Sequence, residues 1–219
     1  AARKAKPGSD DAKIGDYWSS CMDSASAEKA GLTPVQPLLD AIDAITSTTQ
    51  LASQVAWLHA HGIGTLFGYF GNQDAKNSSR VIAHAGQGGI GLPDRDYYSK
   101  QDSASKALRT EYVAHMGRLF VLAGEPAASA TQHADAVMVL ETALANASMT
   151  NVQRRDPNAT YHVMPADSLA LLAPRFLWKD YFAGRAQSPE VVNVTQPEFF
   201  LAMNELIAST PLDTWQAYL

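Results

Sequence analysis

The 219-residue sequence contains one cysteine, Cys21, and few charged residues, which make up 18% of the chain. A single cysteine excludes a disulfide within this sequence, so in an exported protein Cys21 would need a partner outside it. Basic residues cluster only at residues 3–6 and the net charge is −5, which excludes the basic surface of a nucleic-acid-binding protein. Apolar runs such as residues 120–123 are too short for a membrane span. We therefore expect no nucleic-acid partner and no membrane span in this chain.

Motifs that carry catalysis are also missing. The sequence has neither the H-E-x-x-H motif of zinc peptidases nor the G-x-S-x-G motif of α/β-hydrolases. His59 and His61 form an H-x-H pattern, but residues two apart on a helix point to different sides, so they cannot easily share a metal ion. The sequence therefore assigns no catalytic residue and no metal ligand to this chain, and it leaves the substrate-binding residues unknown.

One stretch does carry a nucleotide-binding pattern. The glycines of 86-GQGGIG-91 have the G-x-G-x-x-G spacing of dinucleotide-binding loops, in which a helix must begin inside the glycine run. Pro93 disfavours helical geometry at Leu92, so a helix can begin only at Asp94 or later. We expect a glycine-rich turn, then a helical turn over residues 94–98 capped at Asp94. A nucleotide-dependent enzyme is the least favoured function.

Helix signals dominate the sequence, so the predicted fold class is mostly α. Apolar residues at helical spacing run through residues 14–25, with Gly31 as the expected stop. The stretch TPVQ at residues 33–36 forms a capping box with proline at the first helical position. Further helices are predicted over residues 49–61, 103–123, 126–147, 167–173, 177–182, 197–209 and from residue 210 onwards.

Strand signals are confined to two places. Residues 66–70 and 80–84 flank a polar turn, which predicts one small β-hairpin over about residues 66–84, and residues 191–194 form a further short strand. The last helix reaches Leu219 with no stop signal, so we expect the chain to be cut within an element of a longer protein. We expect a disordered lead-in or linker over residues 1–12, then a helical lobe over residues 13–219 that is truncated at both ends.

Glu141 is a candidate structural residue. It lies beside the apolar stripe that Val137, Leu140 and Leu144 form on the helix predicted over residues 126–147. An unpaired carboxylate would be costly there. Arg154 and Arg155 follow in a nearby loop, and arginine can bind a carboxylate through two parallel hydrogen bonds. We expect an ion pair between Glu141 and one of these arginines. The alternative is that Glu141 is a catalytic base or faces a substrate cavity.

Six segments together resemble one family. In order along the chain they resemble the N-terminal, non-catalytic region of the neprilysin and endothelin-converting-enzyme family of zinc metalloendopeptidases, especially its bacterial members. GLPDRDYY and RRDPNATY are the most specific parts. The segments are KIGDYWSSCMD (13–23), LFGYFGNQDAKNSS (66–79), GQGGIGLPDRDYY (86–98), LETALANASMT (140–150), RRDPNATYHVM (154–164) and PLDTWQAYL (211–219).

The resemblance implies a two-lobed fold that encloses a central cavity and binds peptide substrates. This chain would be part of the lobe that caps the cavity and limits substrate size, with the catalytic lobe of the same protein as its partner. The zinc would be bound outside this chain, which should be inactive alone. In animal relatives the cysteine that corresponds to Cys21 is bonded to one far downstream. The family implies an extracytoplasmic location: periplasmic, secreted or at the surface. The alternative function is a non-catalytic helical module that binds peptides or proteins.

Overall fold

The structure, a computed structural model, describes residues 5–219 and divides into two compact units, one ending at Ala41 and the other spanning Ile42–Leu219. Residues 5–219 form eleven α-helices and one sheet of four strands, which confirms the mostly helical fold class. The helices are α1 (Asp10–Met22), α2 (Ser24–Ala30), α3 (Gln36–Asp43), α4 (Leu51–Ala60), α5 (Asp96–Ser99), α6 (Ser103–Leu122), α7 (Ala127–Ala147), α8 (Leu169–Leu172), α9 (Trp178–Gly184), α10 (Pro197–Ser209) and α11 (Leu212–Tyr218). The strands are β1 (Phe67–Asp74), β2 (Asn77–Gln87), β3 (Val163–Pro165) and β4 (Val191–Val194).

The first unit contains α1, α2 and most of α3. The continuous helix predicted from residue 14 towards Gly31 is wrong, because Asp23 ends α1 and caps α2. Its carboxylate accepts a hydrogen bond from the Ser26 backbone N–H at 3.0 Å, which starts a new helix. The capping box predicted at residues 33–36 is also wrong, since α3 begins only at Gln36. The predicted lead-in over residues 1–12 stays a prediction: residues 1–4 lie outside the described chain, and α1 begins at Asp10.

The second unit contains the sheet, whose order is β1-β2-β4-β3. β1 and β2 form the predicted hairpin and pair antiparallel, with Tyr69 opposite Ala85. The strand predicted at residues 191–194 is β4, which pairs in parallel with β2, and β3 pairs antiparallel with β4. The predicted hairpin is therefore one half of a larger sheet.

An aromatic cluster around Phe67 fixes the helices against the hairpin. The Phe67 ring centroid lies 5.2 to 5.7 Å from those of Phe176, Trp178, Tyr181 and Phe200. Each such pair adds about 0.5–1.5 kcal/mol beyond the burial of its area. The cluster thus holds α9 and α10 beside β1.

Two long helices, α6 and α7, form the other main packing pair. Asp102 caps α6 by accepting a hydrogen bond from the Ser105 backbone N–H at 2.9 Å. Gly124 ends the helix with φ +103°, a backbone conformation that favours glycine. The helices predicted over residues 103–123 and 126–147 are confirmed.

Candidate functional site

The glycine run lies where the hairpin ends, and its first glycine is still within β2. The next helix, α5, begins only at Asp96, so no helix begins inside the glycine run. The geometry that would hold a pyrophosphate is therefore missing from this loop.

Close packing explains the glycines. A Cβ on Gly88 would lie 3.0 Å from the Gly68 backbone nitrogen, and one on Gly91 would collide with the Tyr112 hydroxyl. Gly89 has φ +70°, and a Cβ there would lie 2.6 Å from the Leu66 carbonyl oxygen. The loop therefore needs residues without side chains because it passes against β1 and α6.

Glu141 of α7 is hydrogen-bonded to the glycine loop and to two neighbouring helices. Its carboxylate is buried and accepts hydrogen bonds from the Tyr98 hydroxyl at 2.6 Å, the Tyr112 hydroxyl at 3.0 Å and the Gly91 backbone N–H at 3.2 Å. The Tyr98 hydroxyl also accepts from the Leu92 N–H at 2.9 Å, which extends the network into the loop. The cluster of Glu141, Tyr98, Tyr112 and Gly91, called the Glu141 cluster below, joins α5, α6, α7 and the glycine loop.

Burial has the largest effect on the pKa values of Glu141, Tyr98 and Tyr112. It raises the pKa of Glu141 above its ordinary range, although the three donated hydrogen bonds act in the opposite direction. Burial also raises the pKa of Tyr98 and Tyr112, and the nearby Glu141 carboxylate raises both further. The tyrosines therefore stay protonated as donors. The buried carboxylate therefore has three hydrogen-bond donors within the fold, as buried polar groups ordinarily do.

The predicted ion pair of Glu141 with Arg154 or Arg155 is wrong. Within the described chain, no hydrogen bond or ion pair joins Glu141 to either arginine, and both arginines are exposed. The physical reason is that two phenol groups and a backbone amide already supply the buried carboxylate with neutral donors. Burying an arginine beside it would add the desolvation of a second charge.

Asp94 lies at the predicted turn. Its carboxylate accepts from the Asp96 backbone N–H at 2.8 Å and from the Asn151 side-chain amide. Arg95 donates to the Ala145 carbonyl at the end of α7, at 3.1 Å. The PDRD segment therefore fastens the loop to the C-terminal end of α7.

The remaining candidate residues are separate from this cluster. Cys21 is exposed and free. His59 bonds the Tyr181 hydroxyl and the Thr65 carbonyl, each at 2.8 Å, while His61 bonds the Trp57 carbonyl. The two histidines of the H-x-H pattern thus have different partners.

A cavity of about 520 Å³ lies between α6 and α7, and Arg118 and Thr131 are the polar side chains in its otherwise apolar lining. Within residues 5–219, no group of three or more His, Cys, Asp or Glu side chains is placed to hold a metal ion. The described residues therefore do not fit a catalytic zinc, which needs three protein ligands. None of the helices between residues 5 and 219 has the length and apolar character needed to cross a bilayer.

Sequence reasoning missed the partners of Glu141. Tyr112 lies within the helix predicted over residues 103–123 and Tyr98 within the GLPDRDYY segment, but neither position in the sequence indicates the hydrogen-bond partner of the phenol. The signal that could have found them is a buried carboxylate in a chain whose nearby segments are rich in tyrosine.

Comparisons with known proteins identify the family. The sequence model for the N-terminal region of Peptidase family M13 matches residues 1–219. Neprilysin-3 of Drosophila melanogaster is 31% identical over 208 residues, and endothelin-converting enzyme 1 of Cavia porcellus is 30% identical over 190 residues. These matches cover 87% and 83% of this chain but 26% and 25% of the relatives. The chain thus spans about a quarter of the length of these relatives.

Solved structures of zinc metalloproteases support the same family. The crystal structure of Mycobacterium tuberculosis zinc metalloprotease Zmp1 in complex with an inhibitor matches with a TM-score of 0.89 at 31% identity, covering 99% of this chain and 33% of that one. PepO from Lactobacillus rhamnosis has the same fold, with a TM-score of 0.73 over 87% of this chain at 18% identity and over 30% of its own length. The resemblance carried by the six sequence segments is confirmed, and this chain belongs to peptidase family M13, whose N-terminal region it matches.

Proposed function

We propose that this chain is part of a zinc-dependent endopeptidase that hydrolyses peptides. The chain forms part of the wall of the substrate cavity and limits the size of the substrate, and the catalytic centre lies outside it. The observation that carries the proposal is the match to the Zmp1 inhibitor complex over nearly the whole chain. When bound by residues outside this chain, zinc would polarise the scissile carbonyl and activate a water molecule.

The chain's own residues support a scaffolding role. The Glu141 carboxylate accepts three hydrogen bonds, all from internal donors. The histidines of the H-x-H pattern bond to backbone carbonyls and to a tyrosine hydroxyl. We place the enzyme outside the cytoplasm, as the resemblance to neprilysin and endothelin-converting enzyme implies.

The test compares the 219-residue chain with a longer polypeptide that contains it. We expect stoichiometric zinc after dialysis, and cleavage of quenched fluorescent peptides, only in the longer polypeptide. Its cleavage rate should fall as substrate length grows from short peptides to unfolded proteins. Zinc and activity in the 219-residue chain would refute the division of roles, and equal rates for all substrate sizes would refute the size filter.

The alternative is a non-catalytic module that binds peptides or proteins. It predicts that the longer polypeptide binds the same peptides but leaves them intact in the presence of zinc. The family match favours the peptidase.

A further inference from the structure

Arg185, which directly follows α9, lies between two cavities of the second unit. One cavity has a volume of about 370 Å³ and the other of about 180 Å³. Arg185 and Tyr69 line both. The smaller cavity also contains His59 and Gly68, while the larger reaches Gly71. A half-buried guanidinium is thus accessible from two sides.

The positive charge of Arg185 has no internal partner. Its Nε is buried without a hydrogen bond, and none of the ion pairs within residues 5–219 includes this residue. The titratable groups that feel its charge are His59, Tyr69 and Tyr181. Burial lowers the pKa of His59 and Arg185 lowers it further, so the histidine stays neutral. An unpaired cation with a buried donor is costly, which points to an anion as the missing partner.

The backbone around Arg185 is strained. Ala186 and Leu66 are the non-glycine residues of the described chain with positive φ, at +50° and +58°. Ala186 follows Arg185, and Leu66 precedes the cavity residue Phe67. Residues other than glycine seldom adopt such a conformation, and those that do cluster at active sites and ligand sites.

The helix end that carries Arg185 is firmly held. The Gln187 N–H donates to the Phe182 carbonyl at 2.9 Å and closes the end of α9. A Cβ on Gly184 would lie 2.8 Å from the Cβ of Ala56, so α9 and α4 are in close contact there. The guanidinium therefore projects from a preorganised position, which reduces the entropy lost on binding.

The ligand that fits beside this cation is an extended peptide. β1 is at the margin of the sheet, and within the described chain its outer edge pairs with no other strand. An extended peptide can add to such an edge through main-chain hydrogen bonds. Gly68 and Gly71 lie on β1, the first half-buried and the second exposed, and neither has a side chain that would stand between the strand and a ligand. The opposite margin, β3, has three residues and ends in Pro165, which cannot donate a hydrogen bond.

We propose that Arg185 binds a carboxylate of an extended peptide that lies along the outer edge of β1. The guanidinium would donate two parallel hydrogen bonds to the carboxylate. The carboxylate is the C-terminus of the peptide or an Asp or Glu side chain. The inference rests on the proposed function only in that the ligand is a peptide.

Fluorescence anisotropy of the 219-residue chain tests this with labelled hexapeptides of alternating Val and Ser. One ends in a free carboxylate, a second in an amide, and a third in an amide with an internal Glu. We expect one or both carboxylate peptides to bind about tenfold or more tightly than the neutral amide. Arg185→Gln should remove this preference, and Arg185→Lys should keep part of it.

Arg118→Gln is the matched control, because Arg118 lines the separate cavity between α6 and α7. It should leave the carboxylate preference unchanged. Thermal unfolding of each variant verifies folding. Bound peptide should also slow hydrogen exchange of the β1 amides and leave those of β3 unchanged.

Several results would overturn the proposal. They are equal affinity for the acid and amide peptides, no binding up to about 10 mM, a full preference in Arg185→Gln, or acetate that competes as well as the peptides. Preference for the C-terminal acid or for the internal Glu identifies the source of the carboxylate. Because hydrolysis is not measured, this test can fail while a longer polypeptide still cleaves peptides, and it can succeed if that polypeptide cleaves none.

Discussion

The Glu141 carboxylate is held by donors from three segments that precede it in the chain. The Gly91 amide belongs to the glycine loop, while the Tyr98 and Tyr112 hydroxyls come from α5 and α6. Each donor would be left without an acceptor if the carboxylate were removed, and a buried polar group in that state costs about 1–3 kcal/mol. This residue therefore connects local hydrogen bonding with the stability of the lobe.

We expect Glu141→Ala to lower the free energy of unfolding by about 3 kcal/mol or more, because it strands these donors and leaves a cavity. Glu141→Gln should cost less, since its carbonyl oxygen still accepts hydrogen bonds and no charge is buried. Urea unfolding measures both. Arg154→Ala is the control and should change stability by less than about 0.5 kcal/mol, as expected for an exposed side chain away from such features. Equal losses for Glu141→Ala and Arg154→Ala would contradict the assignment.

Two glycines with positive φ allow the energetic cost of backbone strain to be distinguished from that of steric crowding. Gly89 and Gly62 have similar φ values, +70° and +78°, but a Cβ would meet the Leu66 backbone at Gly89 and nothing within 4 Å at Gly62. Gly62→Ala should therefore cost only about 1 kcal/mol, the penalty of the left-handed conformation. Gly89→Ala should cost about 3 kcal/mol or more because crowding adds to it. Similar melting temperatures for the two variants would show that the glycine loop can move away from β1.

At the residue scale, sequence analysis predicted some properties of Glu141 and not others. Its burial followed from its position beside an apolar stripe. Its partners did not, because Gly91 and Tyr98 approach α7 only through the fold of the glycine loop. The sequence also did not predict the half-buried position of Arg185, since an arginine at a helix end ordinarily lies in solvent.

Helices α1 and α2 differ from the rest of the chain in how little they bury. In α1 the buried residue is Gly15, and none is buried in α2. The apolar side chains of the predicted helix face are exposed, Ile14 by 68%, Tyr17 by 75% and Trp18 by 65%. Helices of this length are marginal in water unless an apolar face is packed.

We expect the amides of α1 and α2 to exchange with deuterium faster than those of α7. The reason is that α7 buries Val137, Leu140 and Leu144, whereas local unfolding of α1 exposes almost no new apolar surface. Hydrogen exchange with mass spectrometry at constant pH measures this, with α7 as the internal reference. Equal protection of the two regions would refute this expectation.

The long helices were predictable as elements, whereas the sheet was predictable only in part. α6 and α7 have helical spacing over about twenty residues each, and Gly124 separates them, so their predicted bounds are close to those observed. β3 consists of Val163–Pro165 and is a strand only because β4 lies beside it. The break at Asp23 was missed because a side chain that can cap a helix can also lie within one.

The response of the whole molecule to acid follows from buried titratable groups with opposite shifts. Burial lowers the pKa of His59 and His84, so the unfolded chain takes up these protons more readily, and acidification through the ordinary histidine range favours unfolding. Burial raises the pKa of Glu141, so its stabilising contribution is full below the ordinary carboxyl range and is lost as pH rises through the raised value.

We therefore expect the free energy of unfolding to fall between pH 7.5 and about pH 5.5, because the ordinary histidine pKa of about 6.5 lies within this interval. On further acidification through the raised pKa of Glu141, the wild type should gain stability relative to Glu141→Gln. Urea unfolding of both proteins across this range is the measurement. A constant difference between them at every pH would show that the Glu141 pKa is not raised.

Because β2 pairs in parallel with β4, the sheet cannot be completed until much of the chain has been synthesised. β2 ends at Gln87 and β4 begins at Val191, so roughly a hundred residues separate the hairpin from the strand that completes it. At about 5–20 residues per second, the hairpin waits on the ribosome for roughly 5–20 s. During that interval the edge of β2 at residues 83–85 is open to strands from other nascent chains. Because β2 stays open until β4 has emerged, slow translation or crowded polysomes should reduce the yield of folded protein.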